Sequence, residues 1–208
     1  MKTAPTASDR PAWVARAAFV TALGLGMYWT IAWDLANPPE TRPPFSEGAA
    51  VEYYQAFLLL LASLVAIVSR PTGEAGGLRW LLGAFFAALA IREFDEVIEG
   101  LLGEGAWQIM VTAVLLAAIV HGWQTRAACR PAIGAFVRQA SWGFFASGIL
   151  VLLFSRFFGM SDVWYAIMGQ QEFQRGVKNA VEEVTETMAI ALLALSMLEF
   201  WLSARRAR

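Results

Sequence analysis

The sequence holds one cysteine, Cys129, and one histidine, His121, in 208 residues. A single cysteine excludes an internal disulfide and leaves the redox compartment open. A single histidine argues against histidine-zinc centres and against di-iron bundles, which take Glu-x-x-His from two helices. Membrane hydrolases that need several histidines are excluded for the same reason. Charge is also scarce. Only 16% of residues are Asp, Glu, Lys or Arg, and the formal net charge is −1. Nothing in that balance points to nucleic acid. The chain has no Walker loop, dinucleotide fingerprint or Cys-x-x-Cys, and no nucleotide, flavin or haem motif. Ser141 and Ser147 lie in no nucleophile motif. There is no low-complexity segment and no separate soluble domain.

What fills the chain instead is apolar. Hydrophobic residues make up 58%, with nine Trp and fourteen Phe. Residues 1–208 are therefore expected to form one membrane domain, an all-α integral membrane protein whose partner is the lipid bilayer. Six spans are expected: 13–33, 47–69, 76–102, 106–125, 133–158 and 178–202. Trp29, Trp33, Trp107, Trp142, Trp164 and Trp201 fit interfacial belts. The first apolar stretch is longer than a signal-peptide core and reads as a retained helix. Residues 1–11 read as frayed, and the prolines Pro38, Pro39, Pro43 and Pro44 as a stiff loop. Gly103 to Gly105 reads as a tight turn and 126–131 as a basic loop. The stretch 159–176 reads as an amphipathic connection holding a short interfacial helix.

Six spans put both termini on one side. Lys2, Arg10, Arg16, Arg70, Arg79, Arg126, Arg130, Arg138, Arg205, Arg206 and Arg208 then share that side. Arg42, Arg156, Arg175 and Lys178 take the other. The positive-inside rule makes the richer side cytoplasmic, as in a bacterial inner membrane.

The segment Arg92-Glu-Phe-Asp-Glu-Val-Ile-Glu99 has a near-copy at Lys178-Asn-Ala-Val-Glu-Glu-Val-Thr-Glu186. Both carry acid-acid-x-x-acid. Gly48-Ala-Ala-Val51 resembles Gly134-Ala-Phe-Val137, and Ser69-Arg70 resembles Ser155-Arg156. Val20-Thr21-Ala22 pairs with Val111-Thr112-Ala113, and Trp33 with Trp123. The common order of these matches reads as a duplication of 12–102 into 106–202, three helices each. Three spans per copy require inverted topology. The layout is similar to that of secondary transporters, including cation exchangers with acidic motifs on paired helices. The acidic segments here lack the glycine and proline breaks usual in those exchangers.

Arg79 and Arg92 are separated by about 20 Å of helix at 1.5 Å per residue. Arg92 therefore lies past the middle of a hydrocarbon core of about 30 Å. Glu186 falls at a similar level of the last span, and Glu52 and Gln55 at that level of the second. Arg92, Asp95, Glu96 and Glu99 share one helix face, continued inward by Ala84 and Ala88. Helices three and six are expected to touch there, antiparallel.

Acids at membrane depth are costly and face protein or water rather than lipid. The leading expectation is binding of a divalent cation or protons, with transport as its extension. Asp95, Glu96, Glu99, Glu182, Glu183 and Glu186 would be ligands, Glu52 a supplementary ligand, and Arg92 with Lys178 would tune the charge. Oxygen-only ligation would suit Mg²⁺, Ca²⁺ or Mn²⁺. Two alternatives stay open. One is a metal-dependent enzyme acting on a lipid, with Glu96 or Glu183 as general base. The other is a structural or partner-binding bundle whose charges are salt-bridged. His121 reads as interfacial, Asp34 as the end of the first helix, and Glu199 as a headgroup-level acid near Arg205 and Arg206.

Overall fold

The computed structural model describes residues 10–38, 45–46, 48–69, 76–171 and 173–206. The expectations for Lys2, Pro39, Arg42, Pro43, Pro44, Arg70 and Arg208 lie outside these residues. The chain is helical, with no strand among the described residues. The helices are α1 (Arg10–Ala36), α2 (Ala50–Val68), α3 (Gly76–Glu93), α4 (Asp95–Leu102), α5 (Ala106–Gln124), α6 (Arg126–Val137), α7 (Ala140–Gly159), α8 (Ser161–Met168) and α9 (Arg175–Arg206). Five of them, α1, α2, α5, α7 and α9, are long and apolar enough to cross a membrane.

The core lies between α2, α3, α7 and α9. Its residues recur at helical spacing: Leu78, Leu82, Phe86 and Ala90 on α3, and Ile190, Leu193, Ala194 and Met197 on α9. α9 packs most extensively on α7 and then on α2, while α3 packs on α2 and α5. Phe86 and Phe136 each meet Phe145 edge to face, a geometry that the ring quadrupoles favour. Small residues set two close approaches. Gly83 on α3 receives the Ser63 hydroxyl on its carbonyl at 2.8 Å. Gly148 on α7 is so near α9 that a Cβ would lie 2.7 Å from Leu193 Cγ and 3.0 Å from the Ala189 carbonyl.

α5 lies outside this core, and α1 reaches it through Leu23. α1 is tied at its two ends. Arg16 makes a bidentate pair with Glu199 of α9, at 2.5 and 2.7 Å. Asp34 accepts from the Ala50 and Val51 N–H groups at 2.8 and 3.0 Å, so it caps α2 from α1. Glu199 is thus buried and paired with Arg16 rather than with Arg205, which stacks on Trp201 instead. α5 exposes Ile109, Leu116, Ile119, Val120 and Trp123, an apolar surface suited to lipid.

Three expectations change. First, the stretch 76–102, expected as one span, is divided at Phe94 into α3 and α4. Asp95 and Glu96 fall in the first turn of α4, where the helix dipole favours negative charge. Arg92 and Glu93 remain on α3. Second, residues 126–131 are helical, with Pro131 inside α6, and the helix expected from 133 begins at Ala140 as α7. Thr125 separates α5 from α6, its hydroxyl donating to the His121 carbonyl at 2.8 Å. α6 then folds back on α3 through Cys129, whose sulfur leaves no room for a Cβ on Gly77. Third, α3 and α9 are not major backbone neighbours. They meet through side chains across the core and at one ion pair.

The turn expected at 103–105 is present. Gly103 and Gly105 have φ of 95° and 82°, which residues with a Cβ rarely adopt. The connection after 159 contains α8, and Trp164 donates from Nε1 to the Phe158 carbonyl at 2.6 Å.

Candidate functional site

One end of the bundle gathers the start of α2, the end of α3, the start of α4, the last turn of α7 and the first half of α9. These elements enclose a polar chamber of about 180 Å³. Carboxylates of Glu52, Glu93, Asp95, Glu96, Glu182, Glu183 and Glu186 line it, together with Arg92 and Arg156.

Glu186 is the most deeply placed acid, 3% exposed. Its Oε1 accepts from Arg92 at 2.8 Å and from Arg156 at 2.5 Å. Arg92 also donates to Glu93 at 2.9 Å, so one guanidinium serves two acids. Glu182 lies between Lys178 at 2.9 Å and Arg156 at 3.8 Å. Its carboxylate presses against Gly159, where a Cβ would collide with it.

Glu183 is different. It meets no cation among the described residues. Its Oε2 accepts from Gln55 Nε2 at 3.1 Å, and the same amide approaches Thr187 Oγ1 at 2.9 Å. Gln55 is 0% exposed, and its Oε1 has no hydrogen-bond donor among the described residues. Buried polar atoms without a partner are uncommon and destabilising.

Of the expected site residues, Glu52, Asp95, Glu96, Glu182, Glu183 and Glu186 line the chamber with Arg92, and Lys178 reaches it through Glu182. Glu99 does not. Its Oε1 accepts from the Gly105 N–H at 3.1 Å, so it holds the turn after α4. The division at Phe94 is the cause, because it ends the continuous face on which Arg92 and Glu99 would have aligned. Glu52 Oε2 accepts from the Gly48 N–H at 2.7 Å. Asp95 Oδ1 accepts from the Glu96 N–H at 2.7 Å. The two acidic segments also occupy opposite ends of their long elements. One closes α3 and opens α4, and the other lies in the first half of α9. Their similarity therefore does not superpose helix on helix.

Two members were not among the expected residues. Glu93 sits between Arg92 and Phe94, off the spacing that singled out its neighbours. Arg156 carries a usable signal, an arginine at the end of an otherwise apolar run from Phe144 to Phe154. His121 is far from the chamber in the chain's fold. It stands at the end of α5 with its ring 6.4 Å from that of Trp80.

Among the described residues no group of three or more His, Cys, Asp or Glu side chains is disposed to hold a metal ion. Comparison with family models, with curated proteins and with solved structures returned no match.

Proposed function

We propose that this chain is a polytopic membrane protein that binds, and by extension transports, protons or a small cation through the chamber acids. The observation that carries the reading is the charge balance. Glu52 and Glu96 each have further interactions, so the balance is drawn from the other chamber acids. Among the described residues, Glu93, Asp95, Glu182, Glu183 and Glu186 then share the chamber with the cations Arg92, Arg156 and Lys178. Among the described residues Glu183 meets no cation, and its carboxylate accepts from the neutral Gln55 amide. Like charges held this close in a poorly solvated site recruit a proton or a cation. Because arginine and lysine occupy several of the oxygens a divalent ion would need, protons are the first candidate. Mg²⁺, Ca²⁺ or Mn²⁺ are the second.

We read the membrane arrangement as six spans, with α3 and α4 together forming the third. The cytoplasmic side carries both termini and α6, and the chamber opens on the other side. Two three-helix halves of inverted topology would pair α2 on α3 with α7 on α9, and α1 on α9 with α5 on α3, but the packing of α2 on α9 has no comparable counterpart between α7 and α3.

The test is thermal melting of the protein in nanodiscs across pH and across a series of Mg²⁺, Ca²⁺ and Mn²⁺. A proton site gives a melting temperature that depends on pH, with the dependence flattened by Glu183→Gln and divalent ions without effect. A divalent site gives metal-dependent stabilisation, abolished by Glu96→Gln with Glu183→Gln. A melting temperature indifferent to pH and to all three metals would leave only a salt-bridged bundle and overturn the reading.

A further inference from the structure

A second cavity, of about 350 Å³, adjoins the chamber and contrasts with it in chemistry. Leu59 of α2 and Ile190 of α9 form its floor. Leu89 of α3 stands on one side, and Leu152 and Leu153 of α7 on the other. Arg92, Glu93, Arg156 and Glu186 belong to both cavities. The slot exists because α3 and α7 are held apart at this level, each packed chiefly on other helices. Leu153 is 67% exposed, so the slot opens sideways on the outer surface of the bundle, where a lipid phase would lie.

We infer that chamber and slot together bind a single-chain amphiphile with a cationic head, a lipophilic amine or quaternary ammonium. This inference rests on the cation-binding reading of the chamber and names its substrate class. The alkyl body lies over Leu59, Leu89, Leu153 and Ile190. The head lies beyond the arginines, toward Glu183. Ile190 and Glu183 are seven residues apart on α9, about 10 Å along the helix, so one short-headed amphiphile reaches both. The slot volume falls within the usual range for small-molecule sites. The sign of the head follows from complementarity. Glu186 already holds both guanidiniums, and an anionic head would meet the remaining carboxylates. On the Glu183 side, the buried Gln55 amide donates to Glu183 Oε2 at 3.1 Å and holds that carboxylate in place.

Equilibrium dialysis against the parent protein in zwitterionic nanodiscs tests this, with empty nanodiscs subtracted. The probes are decyltrimethylammonium, its octyl and dodecyl homologues, tetramethylammonium and decyl sulfate. Decyltrimethylammonium is expected to bind saturably, with affinity rising by up to about fourfold per added methylene. Tetramethylammonium and decyl sulfate are expected to bind at least about tenfold more weakly, since each lacks one of the two matched parts. Glu183→Gln and Leu153→Trp should each weaken the long-chain ammonium without changing the fold, one at the head and one at the exposed slot wall. Equal binding of decyl sulfate would overturn the inference by showing that the arginines choose the head. Equal binding of tetramethylammonium would overturn the slot's role and leave the cation site standing. Absence of saturable binding by any ammonium would overturn the inference alone, because the pH and metal response judges the chamber separately.

Discussion

At the scale of residues, Glu186 has the clearest energetic role. It is buried and accepts from two guanidiniums on two different helices. Breaking a buried ion pair from one side costs about 3–5 kcal/mol. Both arginines are more than a third exposed, so water screens part of the interaction. Glu186→Gln is therefore expected to cost about 2 kcal/mol, seen as a lower melting temperature with the helical content retained. An unchanged or raised melting temperature would mean that Arg92 and Arg156 repack without it. The residue types at this site were legible in the sequence because acids are rare in so apolar a chain. Their partners were less legible. Arg156 is remote in sequence from every acid it meets. Glu93 was hidden because helical spacing favours Arg92, Asp95 and Glu96 only if the helix continues past Phe94. Glu99 was misplaced for the same reason.

At the scale of elements, predominantly apolar stretches of 19 or more residues announced α2, α5 and α7, since few other structures satisfy their backbone in a bilayer. The interruptions did not announce themselves. Phe94 and Thr125 are neither glycine nor proline, and each turns the chain with φ near −100° and ψ near 20°. α6 was obscured by Pro131, which marks a loop by propensity yet sits within a helix here. The close packing of α7 on α9 depends on a residue that propensity treats as a weakness. A methyl group at position 148 would press on Leu193 Cγ and on backbone that cannot swing aside. Gly148→Ala should cost about 1–3 kcal/mol, the usual penalty of overpacking. Hydrogen exchange in α7 and α9 should rise more than in α5. Stabilisation by this alanine, as expected for a solvent-facing helical glycine, would show that the two helices can separate at little cost.

At the scale of the whole molecule, six crossings rather than five require α3 and α4 to cross together. α3 has 18 residues but carries Arg79, Arg92 and Glu93, so its uncharged stretch is shorter than the helix. α4 adds eight residues, with Leu101 and Leu102 exposed at its end. Together they are long enough for a hydrocarbon core of about 30 Å. The native Cys129 is buried against Gly77 and cannot report on sidedness. A Cys129→Ala background with single cysteines at the exposed positions 37, 104 and 130 can. Position 37 follows α1, position 104 lies between α4 and α5, and position 130 is on α6. With six spans and a cytoplasmic N-terminus, an impermeant thiol reagent added outside labels 37 and 104 and spares 130. Labelling of 37 and 130 with 104 protected would mean that α3 and α4 return without crossing. The chamber acids of α4 would then lie apart from the start of α2 across the membrane. That arrangement is incompatible with Glu52 and Asp95 lining one chamber, so the labelling pattern tests the site as well as the topology.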